Sequence, residues 1–158
     1  MKGLVLDSSA LFYGKDLPSD FELVITPGVA TELRRHDMED RLDLLLETRV
    51  RVLSPSKHSL VRVISEGERT GDSRRLSSTD KEVLALALDL GYEIVTDDYS
   101  VQNLASALGI AFRGLEQKEI RSVVTWKAKC RGCGKVFDAD VQECDVCGSP
   151  TSMKGGKR

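Results

Sequence analysis

No stretch of the 158-residue chain approaches the about 18 consecutive apolar residues that a membrane span requires. The opening run Leu4-Val5-Leu6 meets Asp7 too soon to form the core of a signal peptide, so the expected location is the cytoplasm. An excess of positive charge is also missing: the formal charge is −2, which excludes a uniformly basic nucleic-acid-binding protein. The balance is uneven, since Lys127 to Arg158 carries seven Lys and Arg against four Asp and Glu. An acidic body therefore bears a basic tail, and attraction to a polyanion is expected to be local. Cysteine is absent from the first 129 residues; Cys130, Cys133, Cys144 and Cys147 all fall in the last 29. In a cytoplasmic chain that clustering points to metal before disulfide. What is present, 41% hydrophobic and 30% charged residues, suits one folded domain with a small appendage and is too short for two full-sized domains.

Short β-like runs alternate with helical ones, the pattern of an α/β domain with a largely parallel sheet. The strand candidates are residues 4–6, 23–25, 50–53, 93–95 and 110–112, short and apolar as buried parallel strands are. Met38, Leu42, Leu45 and Leu46 recur at i, i+4, i+7 and i+8, and Val101, Leu104, Ala105 and Leu108 at i, i+3, i+4 and i+7; both read as amphipathic helices. The segment 83–90 is apolar nearly all round, which predicts a helix central to the core, and Thr79 with Glu82 suggests a capping box that starts it near Asp80. Residues 67–79 lack apolar periodicity and read as a long mobile loop. The α/β pattern stops near Lys127, and the division expected is 1–122 for the main domain, 123–150 for a cysteine module and 151–158 for a disordered basic tail.

The informative acids stand just beyond strands or at helix starts, because in a parallel sheet such positions converge on one edge. Asp7 follows the first strand, Asp97 and Asp98 follow Thr96 after the fourth, Asp80 opens the central helix, and Glu32 lies in the helix that Pro27 begins. Singly, each has a structural explanation as a helix cap, a dipole partner or a solvated surface group. Together, strand order and crossover handedness bring them to one end of the sheet. Two unit charges 4 Å apart repel by about 4 kcal/mol at an effective dielectric of about 20, so such a cluster calls for a cation. Carboxylates without histidine suit Mg²⁺ or Mn²⁺; His36 and His58 lie outside the cluster and read as surface residues.

The runs Leu-Val-Leu-Asp7-Ser8-Ser9-Ala-Leu, Thr26-Pro27-Gly-Val-Ala-Thr-Glu32-Leu, Leu-Ser-Ser-Thr79-Asp80-Lys-Glu-Val-Leu-Ala-Leu-Ala and Ile-Val-Thr96-Asp97-Asp98 resemble the successive acidic motifs of PIN-domain ribonucleases. The resemblance spans about residues 1–115 and keeps the motif order. It implies a three-layer α/β/α fold and metal-dependent hydrolysis of single-stranded RNA. Asp7, Glu32, Asp80 and Asp97 would be the catalytic and metal-holding residues, supported by Ser8, Thr96 and Asp98. One or two ions would activate a water for in-line attack on phosphorus, giving 5′-phosphate and 3′-hydroxyl ends.

Cys130-Arg-Gly-Cys133 and Cys144-Asp-Val-Cys147 are two Cys-x-x-Cys pairs ten residues apart, each followed by glycine. That spacing is a zinc ribbon with two knuckles; paired disulfides or an iron–sulfur site are the competing readings, disfavoured by compartment and spacing. Four cysteines close the tetrahedral shell, so one zinc would be structural. Val136, Phe137, Val141 and Val146, at about 1.5–3 kcal/mol each, bury too little to order the module without it. Lys127, Lys129, Arg131 and Lys135 are candidate RNA contacts; Trp126 beside them either stacks a base or packs at the domain junction. Arg69, Arg74 and Arg75 in the expected loop form a second candidate RNA contact.

A PIN domain followed by a zinc ribbon resembles archaeal members of the Nin-one-binding endoribonuclease family, which matures the 3′ end of small-subunit ribosomal RNA. That resemblance implies precursor rRNA on a pre-ribosomal particle as substrate, with a KH-domain assembly factor as a neighbour. Two rivals stand beside it: a toxin-type PIN ribonuclease acting on tRNA or mRNA, and a non-catalytic RNA-binding assembly factor.

Overall fold

The protein is described from a computed structural model, which covers residues 2–12, 17–116 and 118–157; Met1 and Arg158, the outer ends of the expected division, lie outside the described residues. Five strands, β1 (Gly3–Leu6), β2 (Glu22–Ile25), β3 (Val50–Val52), β4 (Glu93–Val95) and β5 (Phe112–Arg113), form one parallel sheet in the order β3-β2-β1-β4-β5. The central strands are buried on both faces, and this is why Leu4-Val5-Leu6 and Leu23-Val24-Ile25 run apolar without alternation. Helices α1 (Ser8–Phe12), α2 (Pro27–Arg35), α3 (Glu39–Thr48), α4 (Lys57–Thr70), α5 (Ser78–Leu90) and α6 (Tyr99–Leu108) flank the sheet and complete the three-layer α/β/α architecture. Val83 to Ala87 of α5 are all buried, as the all-round apolar segment predicts. Among the described residues, no helix is long and apolar enough to cross a membrane.

Three local expectations change. The capping box of α5 is Ser77 with Asp80: the Ser77 hydroxyl accepts from the Asp80 N–H, and the Asp80 carboxylate accepts from the Ser77 N–H. Ser77 opens the helix two residues before Thr79 could, leaving Glu82 for another task. Residues 67–79 are not a long loop, because α4 continues to Thr70 and closes on Gly71. Its buried face is Ser59, Val63, Gly67 and Thr70, a helical spacing written in small and polar residues that a search for large apolar side chains passes over. The last strand of the sheet begins at Phe112 because Gly109 and Ile110 still close α6, through N–H bonds to Ser106, Ala105 and Ala105 carbonyls.

The cysteine module is a second sheet of β6 (Val124–Cys130), β7 (Val136–Asp138) and β8 (Thr151–Lys157), antiparallel in the order β7-β6-β8. The expected disordered tail is therefore a strand through Lys157. It pairs along β6 from Thr151 opposite Cys130 to Lys157 opposite Val124, covering an edge that would otherwise be open. Gly155 allows this: a Cβ there would meet the Trp126 ring at 3.1 Å.

The ribbon is tied to the larger unit by a buried polar cluster. The Asn103 side chain on α6 donates to the Val124 carbonyl at 2.8 Å and accepts from its N–H at 2.6 Å. The fully buried Asp72 accepts from Trp126 Nε1 at 3.0 Å, Asn103 Nδ2 at 2.8 Å and Thr70 Oγ1 at 2.6 Å.

Candidate active site

Strand order reverses between β1 and β4, and in parallel sheets ligands bind beyond the carboxyl ends of the strands at such a switch point. Asp7 leaves β1 there and Thr96-Asp97-Asp98 leaves β4, the two turns being stitched by the Asp7 N–H to the Val95 carbonyl at 3.1 Å. Asp7 is buried. Its Oδ1 accepts from the Ser8 N–H at 2.7 Å, and its Oδ2 accepts from Thr96 Oγ1 at 2.7 Å and Ser9 Oγ at 3.2 Å. Burial pushes the Asp7 carboxyl up to about 6; the Thr96 hydrogen bond works against that rise, and the nearby Asp80 and Asp98 charges add to it.

Asp80, half-buried at the start of α5, is also raised, chiefly by burial, with Asp98 and Glu32 contributing repulsion and the Ser77 bonds opposing it. Glu32 projects from α2, whose entry is set by the Thr26 hydroxyl accepting from the Val29 N–H at 3.3 Å. Glu82 fastens the same helix end, accepting from the Gly28 N–H at 3.0 Å. Asp7, Glu32, Asp80 and Asp98 thus share one electrostatic neighbourhood.

The adjacent acids Asp97 and Asp98 face differently from expectation. The buried Asp97 carboxylate turns to the following loop and accepts from the Leu115 N–H at 2.7 Å and the Glu116 N–H at 3.3 Å. Exposed Asp98 is the one whose charge acts on Asp7 and Asp80, while it caps α6 by accepting from the Ser100 N–H at 2.7 Å. Thr96 links the pair to Asp7, because its Oγ1 also accepts from the Asp98 N–H at 3.0 Å. Ser9 is the residue that the motif reading passes over: it bonds Asp7 and accepts from the Asp97 N–H at 3.3 Å, while the Ser8 hydroxyl reaches Asp7 only at 3.4 Å. Its signal was the doubled serine after Asp7. His36 and His58 are exposed, and His36 packs edge-on against Phe12 with centroids 5.2 Å apart.

Among the described residues, the four cysteines alone form a set of three or more His, Cys, Asp or Glu whose donor atoms lie within 4.8 Å of one another. Cys130 Sγ lies 3.4 Å from Cys147 Sγ and Cys133 Sγ 3.6 Å from Cys144 Sγ, close to the about 3.8 Å edge of a tetrahedron with zinc–sulfur bonds of about 2.3 Å. The Gly132, Cys133 and Val146 N–H groups point at these sulfurs, and Gly134 and Gly148 take the positive φ of 79° and 71° that the knuckle turns need. Hydrogen bonding from Ser149 holds the Cys147 thiol down to about 6, toward the thiolate that binds metal. The cluster fits a zinc ribbon. Val136 and Val146 are mostly exposed, so burial of apolar side chains contributes even less to the module than their sequence suggests.

Several of the expected RNA contacts are engaged within the fold. Arg69 pairs with Glu66, Arg74 donates to the Ala139 carbonyl at 2.9 Å, and the Arg75 guanidinium lies 4.0 Å from the centroid of the Trp126 ring. Trp126 therefore takes the junction role. Lys127 pairs with Asp138 and Lys135 with Asp145, each at 2.8 Å, whereas Lys129 and Arg131 are exposed.

Residues 4–90 match the family model described as the PIN domain of ribonuclease. The chain is 39% identical over 153 residues to a Pyrococcus abyssi protein named Endoribonuclease Nob1, covering 95% of this chain and 92% of that one. It is 38% identical over 155 residues to a Thermoplasma acidophilum protein named Ribonuclease VapC1, covering 98% and 79%. The structure of VapBC-1 from nontypeable Haemophilus influenzae shares the fold, with a TM-score of 0.52, 17% identity, and coverage of 70% of this chain and 96% of that one. With the acidic switch point, the parallel sheet and the family match all in agreement, this chain belongs to the PIN-domain ribonucleases, together with the archaeal Nob1 endoribonucleases.

Proposed function

We propose that this chain is a divalent-metal-dependent endoribonuclease that cleaves single-stranded precursor RNA at the 3′ end of small-subunit (16S) rRNA. The observation that carries the reading is the buried Asp7, held by Thr96 and Ser9 within reach of the charges of Asp80 and Asp98. The substrate rests on the likeness to proteins named Endoribonuclease Nob1. Cytoplasmic action on a pre-ribosomal particle, beside a KH-domain assembly factor, belongs to the same reading.

The donor set consists of carboxylate oxygens, which suits Mg²⁺ or Mn²⁺. Asp7, Glu32, Asp80 and Asp98 would hold the ion, one or two in number, with Asp97 positioning the turn beside them. When bound, such an ion would lower the pKa of water and neutralise charge on the phosphate oxygens. Thr96 and Ser9 keep the Asp7 carboxylate oriented. The raised carboxyls of Asp7 and Asp80 hold a proton more tightly than an ordinary carboxylate does, so cation and proton compete at the same oxygens. Hydrolysis that needs no 2′-hydroxyl nucleophile leaves 5′-phosphate and 3′-hydroxyl ends.

The cysteine cluster would hold one structural zinc; residues 1–122 are proposed as the nuclease unit and 123–157, extended past 150 by strand β8, as the ribbon unit. Exposed Lys129 and Arg131 would offer charge to the RNA backbone.

The likeness to a protein named Ribonuclease VapC1 over 98% of this chain favours a second reading, a toxin-type ribonuclease acting on tRNA or mRNA. Cleavage mapping with and without Mn²⁺ separates them, using precursor rRNA spanning the mature 3′ end, tRNA and mRNA, with Asp7→Asn as control. A single Mn²⁺-dependent cut at the mature 3′ end, lost in Asp7→Asn with RNA binding retained, is expected. Cleavage of tRNA or mRNA in preference supports the second reading, and equal products from both proteins remove the nuclease assignment in favour of a binding factor.

A further inference from the structure

Beside the acidic site, where α6 meets the ribbon, lies a cavity of about 90 Å³ whose wall includes Asp72, Arg75, Tyr99, Ser100, Asn103 and Trp126. Its residues come from three parts of the chain that have no common element. Tyr99 is the first residue of α6 and directly follows Asp98; it is 49% exposed. Facing the same space, the Arg75 guanidinium lies over the Trp126 ring at 4.0 Å. The polar groups behind them, Asp72, Asn103 and Trp126 Nε1, are already bonded to one another, so the wall is rigid.

An exposed aromatic ring opposite an arginine plane is the surface on which unstacked nucleobases are held, by stacking and not by backbone charge. The volume has room for one six-membered ring, leaving a sugar and phosphate at the mouth. Because Tyr99 adjoins Asp98, that mouth opens next to the acids. We propose that this pocket holds a single unstacked pyrimidine of the RNA strand, with Tyr99 and the Arg75–Trp126 stack as its platform, and so sets which phosphodiester reaches Asp7. The role in choosing the phosphodiester rests on the nuclease reading above; the base site itself rests on RNA binding alone.

Trp126 is the only tryptophan, which gives the pocket its own reporter. In the full, zinc-loaded chain carrying Asp7→Asn, a short oligouridylate should quench Trp126 emission, and a matched ribose-phosphate oligomer without bases should bind without quenching. Adding Tyr99→Ala should weaken oligouridylate binding about tenfold, the lower end of a base-stacking contribution, and leave the baseless oligomer unaffected. Tyr99→Phe should keep the oligouridylate affinity, and melting curves check that each variant folds. Oligoadenylate should bind more weakly than oligouridylate. Equal weakening of both oligomers by Tyr99→Ala, or emission indifferent to the presence of bases, overturns the proposal. Base-dependent quenching in a chain whose Asp7 form cleaves nothing removes the nuclease reading and keeps the pocket; cleavage without such quenching does the reverse.

Discussion

Thr96 Oγ1 donates to Asp7 Oδ2 at 2.7 Å across the gap between β4 and β1, although 89 residues separate them in the chain. The same oxygen accepts from the Asp98 N–H, so one fully buried hydroxyl fixes both the acid after the first strand and the turn after the fourth.

Replacing that hydroxyl by a methyl is therefore expected to act twice. Thr96→Val leaves the Asp98 N–H without its acceptor and should cost about 1–3 kcal/mol of stability, read from urea midpoints. Because the Thr96 bond lowers the Asp7 pKa, its loss should move the acid limb of the activity–pH profile upward. A profile that stays in place would show that Asp7 does not control it.

The raised pKa of Asp7 gives opposite signs for metal binding and for metal-free stability. A folded pKa of about 6 against an ordinary 3.8 means that the charged form opposes folding by about 3 kcal/mol above pH 6, a penalty that disappears as pH falls toward 4. Without divalent ions, Asp7→Asn should thus gain stability relative to the parent at pH 7.5 and lose that advantage at pH 4.5, when denaturant midpoints are compared. Mn²⁺ affinity of the parent should fall below pH 6, where the proton occupies the same carboxylate.

Asp97 and Asp98 should separate in mutagenesis. Asp98→Asn is expected to reduce Mn²⁺ affinity about tenfold, about 1.4 kcal/mol, with only a small stability loss because asparagine also caps helices. Asp97→Ala should instead destabilise the chain by about 1–3 kcal/mol through loss of the hydrogen bonds from the Leu115 and Glu116 N–H groups. Isothermal titration with Mn²⁺ alongside thermal melts distinguishes the two; reversed phenotypes would exchange their roles.

Removal of zinc tests the division of the chain. Chelation, or Cys130→Ser, should release the ribbon strands and shift Trp126 emission to the red, since that ring is held between Asp72, Arg75 and β8. Far-UV helical signal should persist, because α1 to α6 precede Lys127. Simultaneous loss of both signals would mean that the two units fold as one.

Much of this molecule was legible as a string of residues because the forces involved are local. Strands β1 and β2 coincide with the apolar runs Leu4-Val5-Leu6 and Leu23-Val24-Ile25, since a strand buried on both faces must be apolar throughout. Cys-x-x-Cys followed by glycine spells the knuckle within a few residues, and the order of the acids identifies the family without reference to distance. Helix α4 was hidden because its inward face is small and polar, and the terminal strand because Gly155 and Gly156 look like a flexible end until Trp126 and Thr125 are paired opposite them.

Residue types, their spacing and the periodicity of apolar positions are properties of neighbouring positions, and those alone specified the α/β class, the acidic motifs and the paired cysteines. Which of two consecutive aspartates turns toward Asp7, whether Arg75 meets solvent or an indole, and what Asp72 binds depended on segments brought together from far along the chain. Such choices follow from the directions in which side chains leave packed strands and helices, and no short window of sequence contains that information.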